Sequence, residues 1–250
     1  MRTPVLAANW KMNLTPPEAK AFLRSFLVHY PRRADRTVII FPSAISLTTV
    51  IDGLRERQDV LVGAQNVHWE DQGAFTGENS AVMAREAGAR VVLVGHSERR
   101  HVFGETDEQS GLKCAAAVRA GVTPMLCVGE KLEERERGET ERVVLRQLLA
   151  GVAKLEPKDV ARMCVAYEPV WAIGTGKTAK PEDATPVHGA IRTALAEIVG
   201  RERAGEIPLL YGGSVNRDNA ASLLAAGEVN GLLVGGASLD PQGWADIARA

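Results

Sequence analysis

Three side chains suited to acid–base or electrostatic catalysis stand at or just after the ends of short apolar runs. They are Lys11, His96 and Glu168. A carboxylate can serve as a general base, a neutral imidazole can donate a hydrogen bond to a carbonyl oxygen, and an ammonium group can stabilise a developing oxyanion. Their positions after apolar runs make each of them a candidate catalytic residue.

The stretch 165–179 surrounds Glu168 with the features of a covered general base. Pro169 follows the carboxylate at once, so neither a strand nor a helix continues. The loop beyond it holds two glycines and no charge until Lys177, and proline and acids open a helix after residue 180. This pattern indicates a lid over a carboxylate that is fixed at a strand end. An ordinary connection with an incidental glutamate is the alternative.

His96 and Lys11 each allow a catalytic and a structural interpretation. His96 precedes a predicted helical turn at 97–101, and the dipole of a helix N-terminus disfavours an added positive charge, so we expect a neutral imidazole. Lys11 lies beside Trp10 directly after a buried run, where it can offer a compact positive charge to a phosphate or an oxyanion. A structural histidine and a lysine whose stem covers apolar surface are the alternatives.

Two glycine-rich segments follow the last two apolar runs. Gly212-Gly213-Ser214 and Gly235-Gly236 leave backbone N–H groups open to close approach by an anion, because glycine has no Cβ atom. Adjacent loops of this kind commonly bind phosphate in barrel proteins. A tight turn is the alternative for either segment alone, but the pair together favours a phosphate site.

Composition gives no sign of a nucleic-acid or membrane partner. The 250 residues carry a formal net charge of −1, so no global field selects either surface. The three cysteines include no CxxC pair, and the sequence has no signal segment and no apolar run near about 18 residues. No histidine pair has metal-ligand spacing with a further cysteine or carboxylate. We therefore expect a cytoplasmic protein that uses neither a metal nor a cofactor.

The order of apolar and amphipathic segments must position these candidate residues. The apolar runs are continuous, as expected of parallel strands buried on both faces, and they occupy residues 5–8, 37–41, 60–64, 90–94, 122–128, 163–167, 207–211 and 231–234. Helices are predicted at 16–29, 43–57, 79–87, 106–120, 182–204, 216–226 and 241–249, with one more that ends near 154. Eight such units predict a single (β/α)8 barrel domain over 1–250, and the absence of a GxGxxG or P-loop motif weakens an open nucleotide-binding sheet.

A barrel brings the C-terminal ends of its strands to one rim, where the following loops carry the active residues. On this fold Lys11, His96, Glu168 and both glycine segments converge. The sequence thus predicts one site, with acid–base groups beside a phosphate-binding pair of loops.

One connection, 65–78, is too long for a simple turn. It carries Trp69 and Phe75, which are apolar side chains that a monomer would leave exposed. We expect this loop to dock against a second subunit.

Several segments, in one order along essentially the whole chain, resemble the triosephosphate isomerase family. Besides the stretch 165–179, they are Ala8-Asn9-Trp10-Lys11-Met12-Asn13, Gly63-Ala64-Gln65-Asn66, Gly77-Glu78, Val94-Gly95-His96-Ser97-Glu98-Arg99-Arg100, Cys127-Val128-Gly129-Glu130, Tyr211-Gly212-Gly213-Ser214-Val215 and Leu233-Val234-Gly235-Gly236-Ala237-Ser238-Leu239.

The resemblance implies a metal-free enzyme of glycolysis and gluconeogenesis that interconverts dihydroxyacetone phosphate and D-glyceraldehyde 3-phosphate. It implies that Glu168 is the general base, that neutral His96 is the electrophile and that Lys11 is the electrostatic stabiliser. The other implied roles are substrate positioning by Asn9, phosphate binding at Gly174, Ser214, Gly235 and Gly236, support of the polar network by Glu98, and closure over Glu168 by Ile173 and Leu233. It also implies a homodimer whose loop, with Gln65, Phe75 and Thr76, inserts into the partner.

Two other functions stay open on the sequence. A phosphate-binding barrel that catalyses another isomerase or lyase reaction would share the glycine segments, but it gives no reason for Lys11, His96 and Glu168 together. A catalytically inactive barrel kept as a binding protein should have lost one of these positions, and none is missing.

Overall fold

The apolar runs form the strands of a closed parallel barrel. A computed structural model describes residues 1–172 and 181–250, and within them eight strands pair in chain order, with the last beside the first. The strands are β1 (Val5–Asn9), β2 (Thr37–Phe41), β3 (Val60–Ala64), β4 (Val91–Val94), β5 (Thr123–Val128), β6 (Cys164–Tyr167), β7 (Leu209–Tyr211) and β8 (Gly231–Val234). The predicted (β/α)8 fold is therefore confirmed.

Alternation along each strand divides the core into two layers. On β1, Val5 and Ala7 belong to the cluster inside the barrel, whereas Leu6 and Ala8 belong to the cluster between the strands and the helices. Successive side chains of a strand point to opposite faces, so a strand that is buried on both faces must be apolar at every position. This requirement explains the continuous runs in the sequence.

Glycine closes the barrel where β8 meets β1. Gly231 pairs with Val5, and a Cβ atom at position 231 would lie 2.1 Å from the Val5 carbonyl oxygen. No side chain can occupy that space, so the seam between the two strands depends on the missing Cβ atom.

Helices cover the outside of the barrel. In the described residues they are α1 (Pro16–His29), α2 (Leu47–Gly53), α3 (Ala81–Ala87), α4 (Ser97–His101), α5 (Asp107–Arg119), α6 (Leu132–Glu136), α7 (Thr140–Val152), α8 (Pro157–Val160), α9 (Pro181–Val199), α10 (Arg201–Glu206), α11 (Ala220–Leu224) and α12 (Pro241–Arg249). Short 3₁₀ turns lie at Ala44–Ser46, Val170–Ala172 and Gly236–Ser238. No helix among these residues is long and apolar enough to cross a membrane.

Three predicted helices were too long. The segment 43–57 forms a 3₁₀ turn and then α2, which ends at Gly53. The segment 182–204 breaks at Gly200, whose φ of 84° is left-handed and cannot continue a helix. The segment 216–226 is helical only in α11, because Asn216 binds the N–H groups of the residues two and three positions later (2.9 and 3.1 Å). Such local side-chain bonds compete with helix formation.

Two helical glycines give a paired stability prediction. At Gly189 in α9 a Cβ atom would meet nothing within 4 Å outside the helix, whereas at Gly111 in α5 it would lie 2.5 Å from the Ala150 carbonyl oxygen. Gly189→Ala should raise the free energy of unfolding by about 0.5–1 kcal/mol, because alanine has less freedom to lose in the unfolded chain. Gly111→Ala should lower it. Urea denaturation measures both, and equal shifts would contradict the close packing of Gly111 against Ala150.

Candidate active site

Glu168 follows β6 and is buried in a seat made by two glycines. Its N–H donates to the Val128 carbonyl (2.7 Å), and the residue is 2% exposed. A Cβ atom at Gly129 would lie 1.8 Å from the Glu168 carbonyl oxygen, and one at Gly212 would lie 3.0 Å from Glu168 Cγ. Larger residues at either position would displace the carboxylate or its backbone.

Both oxygens of the Glu168 carboxylate have partners. Oε1 lies 2.9 Å from His96 Nε2, and Oε2 accepts the N–H of Ser97 (2.8 Å). Burial raises the pKa of Glu168, but His96, the Ser97 hydrogen bond and the charge of Lys11 together hold it below its ordinary value. In this position the group is an ionised carboxylate and a weak base.

The His96 tautomer follows from the hydrogen bond at its other nitrogen. Nδ1 accepts the N–H of Glu98 (3.2 Å) at the start of α4, so the ring proton lies on Nε2 and points to Glu168. Burial lowers the pKa of His96, but the adjacent Glu168 carboxylate outweighs burial and raises it. The predicted helical turn after the histidine is confirmed, and its N–H group favours a ring that is unprotonated at Nδ1.

Asn9 lies at the end of β1 with its amide against the same imidazole. Its Oδ1 accepts the N–H of Lys11 (3.0 Å), and its Nδ2 lies 3.2 Å from His96 Nε2. Because Nε2 already carries a proton, the Asn9 N–H groups are donors for an acceptor placed above the ring. Asn9 thus holds N–H donors beside the imidazole, whose own N–H points to Glu168.

Lys11 has a backbone conformation that is unusual for a residue with a side chain. Its φ is 53°, in the left-handed region, which costs roughly 1–2 kcal/mol for an L-residue. Gln65 offsets this cost, since its Nε2 donates to the carbonyls of Lys11 (2.8 Å) and Phe41 (2.9 Å). The turn directs the ammonium group to Glu98, where Nζ and Oε1 are 2.7 Å apart. Strain at such a position is typical of functional sites.

These groups line one cavity of about 280 Å³ together with the glycine segments. Its described lining is Asn9, Lys11, His96, Glu168, Gly212, Gly213, Ser214, Val215, Leu233, Gly235, Gly236 and Ala237. Gly235 precedes the 3₁₀ turn Gly236–Ser238, and a Cβ atom at Gly236 would meet nothing within 4 Å. The space on the side-chain side of Gly236 is therefore unfilled. Position 213 requires a glycine for a different reason, since a Cβ atom there would lie 2.1 Å from the Tyr211 hydroxyl oxygen.

A polar cluster holds the chain on both sides of residues 173–180. The buried carboxylate of Glu130 accepts from the Tyr167 hydroxyl (3.1 Å) and from Trp171 Nε1 (2.9 Å). Arg135 lies over the Trp171 ring, 4.3 Å from its centroid, and also pairs with Asp183 at 2.6 Å. Trp171, within the predicted lid stretch 165–179, and the start of α9 are therefore tied to the same guanidinium group.

The structure brings most of the predicted site residues together. Lys11, His96, Glu168, Asn9, Ser214, Leu233, Gly235 and Gly236 line the cavity, and Glu98 binds Lys11 at its edge. Ile173, Gly174 and the rest of the predicted lid stretch up to residue 179 lie outside the described residues. Phe75 and Thr76 are exposed on the loop after β3, whereas Gln65 faces the Lys11 turn.

Comparison of this sequence with known proteins identifies one enzyme family. The family model described as triosephosphate isomerase matches residues 4–250. The chain belongs to the triosephosphate isomerase family. Proteins named triosephosphate isomerase from Symbiobacterium thermophilum and Solibacter usitatus are 48% identical over 250 residues and 47% identical over 249 residues. A third, from a Roseiflexus species, is 48% identical over 249 residues. The matches cover 100% of this chain and 97%, 100% and 98% of the three relatives.

Sequence reasoning did not assign to the base three groups that seat the carboxylate in this member of the triosephosphate isomerase family, although it named one of them, Gly212, as part of a phosphate-binding segment. They are the N–H of Ser97 and the glycines at 129 and 212. Ser97 stands inside a segment that carried the family resemblance, but a backbone donor has no signature of its own. Gly129 follows β5 directly, so its place at a strand end was the available signal.

The donor set at the site does not suggest a metal. In residues 1–172 and 181–250, no three His, Cys, Asp or Glu side chains are grouped so that they could hold a metal ion. Metal-free chemistry stays a prediction from the sequence.

Gln65→Glu tests how Lys11 is held. A carboxylate would face two carbonyl oxygens in place of two hydrogen bonds, so the free energy of unfolding should fall by about 2 kcal/mol at pH 8. Those carbonyls should raise the folded-state pKa of the new group above the unfolded value of about 4.3. At a pH between these two pKa values the unfolded state then binds fewer protons than the folded state. The loss of stability relative to the wild type should therefore grow as pH rises through that window.

Urea titrations between pH 4 and 8 would measure this deficit, and the exposed Gln58 supplies the matched control, Gln58→Glu. A Gln65→Glu deficit that is the same at every pH, or no larger than that of the control, would refute the role given to Gln65.

Proposed function

We propose that this chain interconverts dihydroxyacetone phosphate and D-glyceraldehyde 3-phosphate through an enediolate, as a triosephosphate isomerase. The observation that carries the proposal is the buried contact between Glu168 and the N–H of His96, at 2.9 Å, beside a cavity whose other end is backbone of the glycine segments. Family membership over essentially the whole chain supports the same reaction.

Glu168 takes a proton from the carbon beside the substrate carbonyl and returns it to the neighbouring carbon. The electron pair of the broken C–H bond forms a carbon–carbon double bond, and the π pair of the carbonyl moves to its oxygen, which becomes the oxyanion of the enediolate. The hydroxyl proton on the deprotonated carbon passes to that oxygen, so that a new carbonyl forms on this carbon when the former carbonyl carbon takes up the proton from Glu168. The N–H donors of His96 and Asn9 face the space where the substrate oxygens would lie, and the ammonium group of Lys11 stabilises the negative charge. No atom is gained or lost overall, so the reaction needs no redox group.

The base must leave its resting partners to act. Both oxygens of Glu168 are hydrogen-bonded here, which stabilises the ionised form and holds the carboxylate against His96 and Ser97, so in the proposal the side chain rotates before it takes a proton from carbon. Rotation separates the carboxylate from His96 and from the Ser97 N–H, which both lower its pKa, while the burial that raises the pKa remains. The same movement that brings the base to the substrate therefore makes it a stronger base.

Glu98 supports both the electrophile, His96, and the cation, Lys11. The Glu98 N–H keeps Nδ1 of His96 free of a proton, so we take the reacting imidazole as neutral with a single N–H on Nε2. The Glu98 carboxylate holds Lys11 Nζ at 2.7 Å at the edge of the cavity. Glu98 thus supports both groups without facing the substrate carbon.

The substrate phosphate binds at the backbone of Ser214, Gly235 and Gly236. Their loops follow the last two strands, and the turn at Gly236 gives open N–H groups to an anion. Gly174 completes this site and Ile173 covers it in the proposal, on the family resemblance alone. Leu233 lies beside Gly212 and Glu168 and excludes water from the base.

The active form is a homodimer in the proposal, joined through the loop after β3. That loop is ordered by its own aromatic cluster, in which the His68 ring lies 4.2 Å from both Trp69 and Phe75. Phe75 nevertheless stays 42% exposed, and Met83, at a neighbouring pocket of about 430 Å³, stays 56% exposed. In the proposal a second copy of the loop covers these two exposed apolar side chains.

The proposed setting is the cytoplasm, with phosphorylated trioses as the small-molecule partners and with neither a nucleic acid nor a membrane as partner. The balanced charge of the sequence supports this choice, because no surface-wide field attracts a polyanion.

Glu168→Gln tests the base. The amide cannot accept the substrate proton, so kcat should fall by roughly 10²- to 10⁴-fold, the usual contribution of a general base. Binding of an unreactive triose-phosphate analogue should persist, because the glycine segments are untouched. A coupled assay without added metal or nucleotide measures the rate, and calorimetry measures the binding.

Glu133→Gln, at an exposed residue of α6, is the matched control for Glu168→Gln. A Glu168→Gln protein with wild-type turnover would refute the assignment of Glu168 as the general base. A wild-type protein that does not interconvert the two triose phosphates would refute the proposed function itself.

Thr76→Arg tests the homodimer. A charged side chain at the exposed tip of the loop should be costly in an apolar interface, so the dimer should dissociate at protein concentrations where the wild type stays associated. Leu149→Arg, at a 49% exposed residue of α7, is the control. Sedimentation velocity over a dilution series distinguishes them. Gln65 is left unchanged because its substitution disturbs the Lys11 turn, and equal dissociation of both variants would refute docking through this loop.

A further inference from the structure

Gly95 sets the direction in which His96 leaves β4. Its φ of 67° lies in the left-handed region and turns the chain from the strand toward the cavity. A Cβ atom at this position would lie 2.5 Å from Arg100 Nη2 and 3.0 Å from Ser110 Oγ. The guanidinium group of Arg100 therefore packs directly against the turn that places His96.

Side chains bind both backbone polar groups of Gly95. The pairing of β4 with β5 reaches Val94 and Leu126. Beyond that pair, the Gly95 N–H donates to Glu105 Oε1 (3.0 Å), and the Gly95 carbonyl accepts from Arg100 Nε (2.7 Å). Since buried backbone groups need partners, the orientation of the turn depends on these two side chains.

Arg100 also reaches strand β5. Its Nη2 donates to the Cys127 carbonyl (3.2 Å), its Nη1 lies 2.6 Å from Asp107 Oδ1, and the side chain is 5% exposed. The next residue on β5 accepts the N–H of Glu168 (2.7 Å). One guanidinium group thus joins the turn before the histidine to the strand that holds the backbone of the base.

We propose that Arg100 is a positioning residue that fixes His96 relative to Glu168. It binds two backbone carbonyls and one carboxylate at once, which takes divergent donors held in one plane, as in a guanidinium group. A lysine would keep the positive charge but could not hold both carbonyls at the same spacing. The kinetic consequence rests on the proposed isomerase function, whereas the geometric one does not.

Arg100→Lys separates positioning from simple loss of charge. Misplacing a catalytic group by about 1 Å can cost about 100-fold, so kcat should fall roughly 10- to 100-fold while KM changes less than about threefold. Arg146→Gln is the matched control, because Arg146 Nε binds the other oxygen of Asp107 (2.9 Å) from the half-exposed surface of α7. That variant should keep both constants within about twofold of the wild type.

The ring ¹⁵N resonances of His96 give a readout that does not depend on turnover. They should move in Arg100→Lys and stay in place in Arg146→Gln. Wild type without isomerase activity would overturn the proposed function, and the resonances would still test Arg100. A folded Arg100→Lys protein with wild-type kcat and unmoved His96 resonances would overturn the positioning role.

A second variant keeps the test decisive if Arg100→Lys does not fold. Asp107→Asn changes a partly exposed residue and weakens the anchor of the same guanidinium group. It should move the His96 resonances and lower kcat in the same direction by a smaller factor. Unchanged resonances and kcat in this variant would overturn the proposal.

Discussion

The burial of one carboxylate constrains the rim of this barrel. Glu168 is ionised inside the protein, and a buried charge is tolerated only with hydrogen bonds. The end of β4 must therefore lie close to the carboxylate, so that the Ser97 N–H reaches Oε2 at 2.8 Å and His96 Nε2 reaches Oε1 at 2.9 Å. The carboxylate also needs room, so the neighbouring strand ends carry Gly129 and Gly212. The glycines at these strand ends and the close approach of the residues after β4 both serve the seating of a single charge.

Beyond the last strand pairs, side chains replace the strand ladder. Gln147 of α7 binds both the N–H (2.7 Å) and the carbonyl (3.2 Å) of Gly129, as a neighbouring strand would. Gln65 donates to the carbonyls of Phe41 and Lys11. Glu105 accepts the N–H of Gly95, and Arg100 donates to the Gly95 carbonyl. The side chains outside the barrel therefore set the backbone geometry from which Lys11, His96 and Glu168 project.

The barrel could be predicted from the sequence because a strand that is buried on both faces must be apolar at every position. β8 and α12 have the predicted bounds, since glycine begins the strand and proline begins the helix. Helix ends were harder to predict, because the helix after β7 is shortened by bonds of the Asn216 side chain that compete with it. Catalytic candidates could be found by their position after strands. The low pKa of Glu168 could not, because its causes lie on other strands far along the chain.

The glycine seam between β1 and β8 has a consequence for how the protein is made on the ribosome. Synthesis releases the chain from its N-terminus, so β1, apolar and buried on both faces in the finished fold, emerges long before the partner that closes the barrel. Until Gly231 arrives, one edge of β1 presents unpaired N–H and C=O groups to any other nascent strand. The barrel thus keeps an open edge until β8 has been synthesised, and an unpaired strand edge is where a partly folded chain is exposed to misassembly.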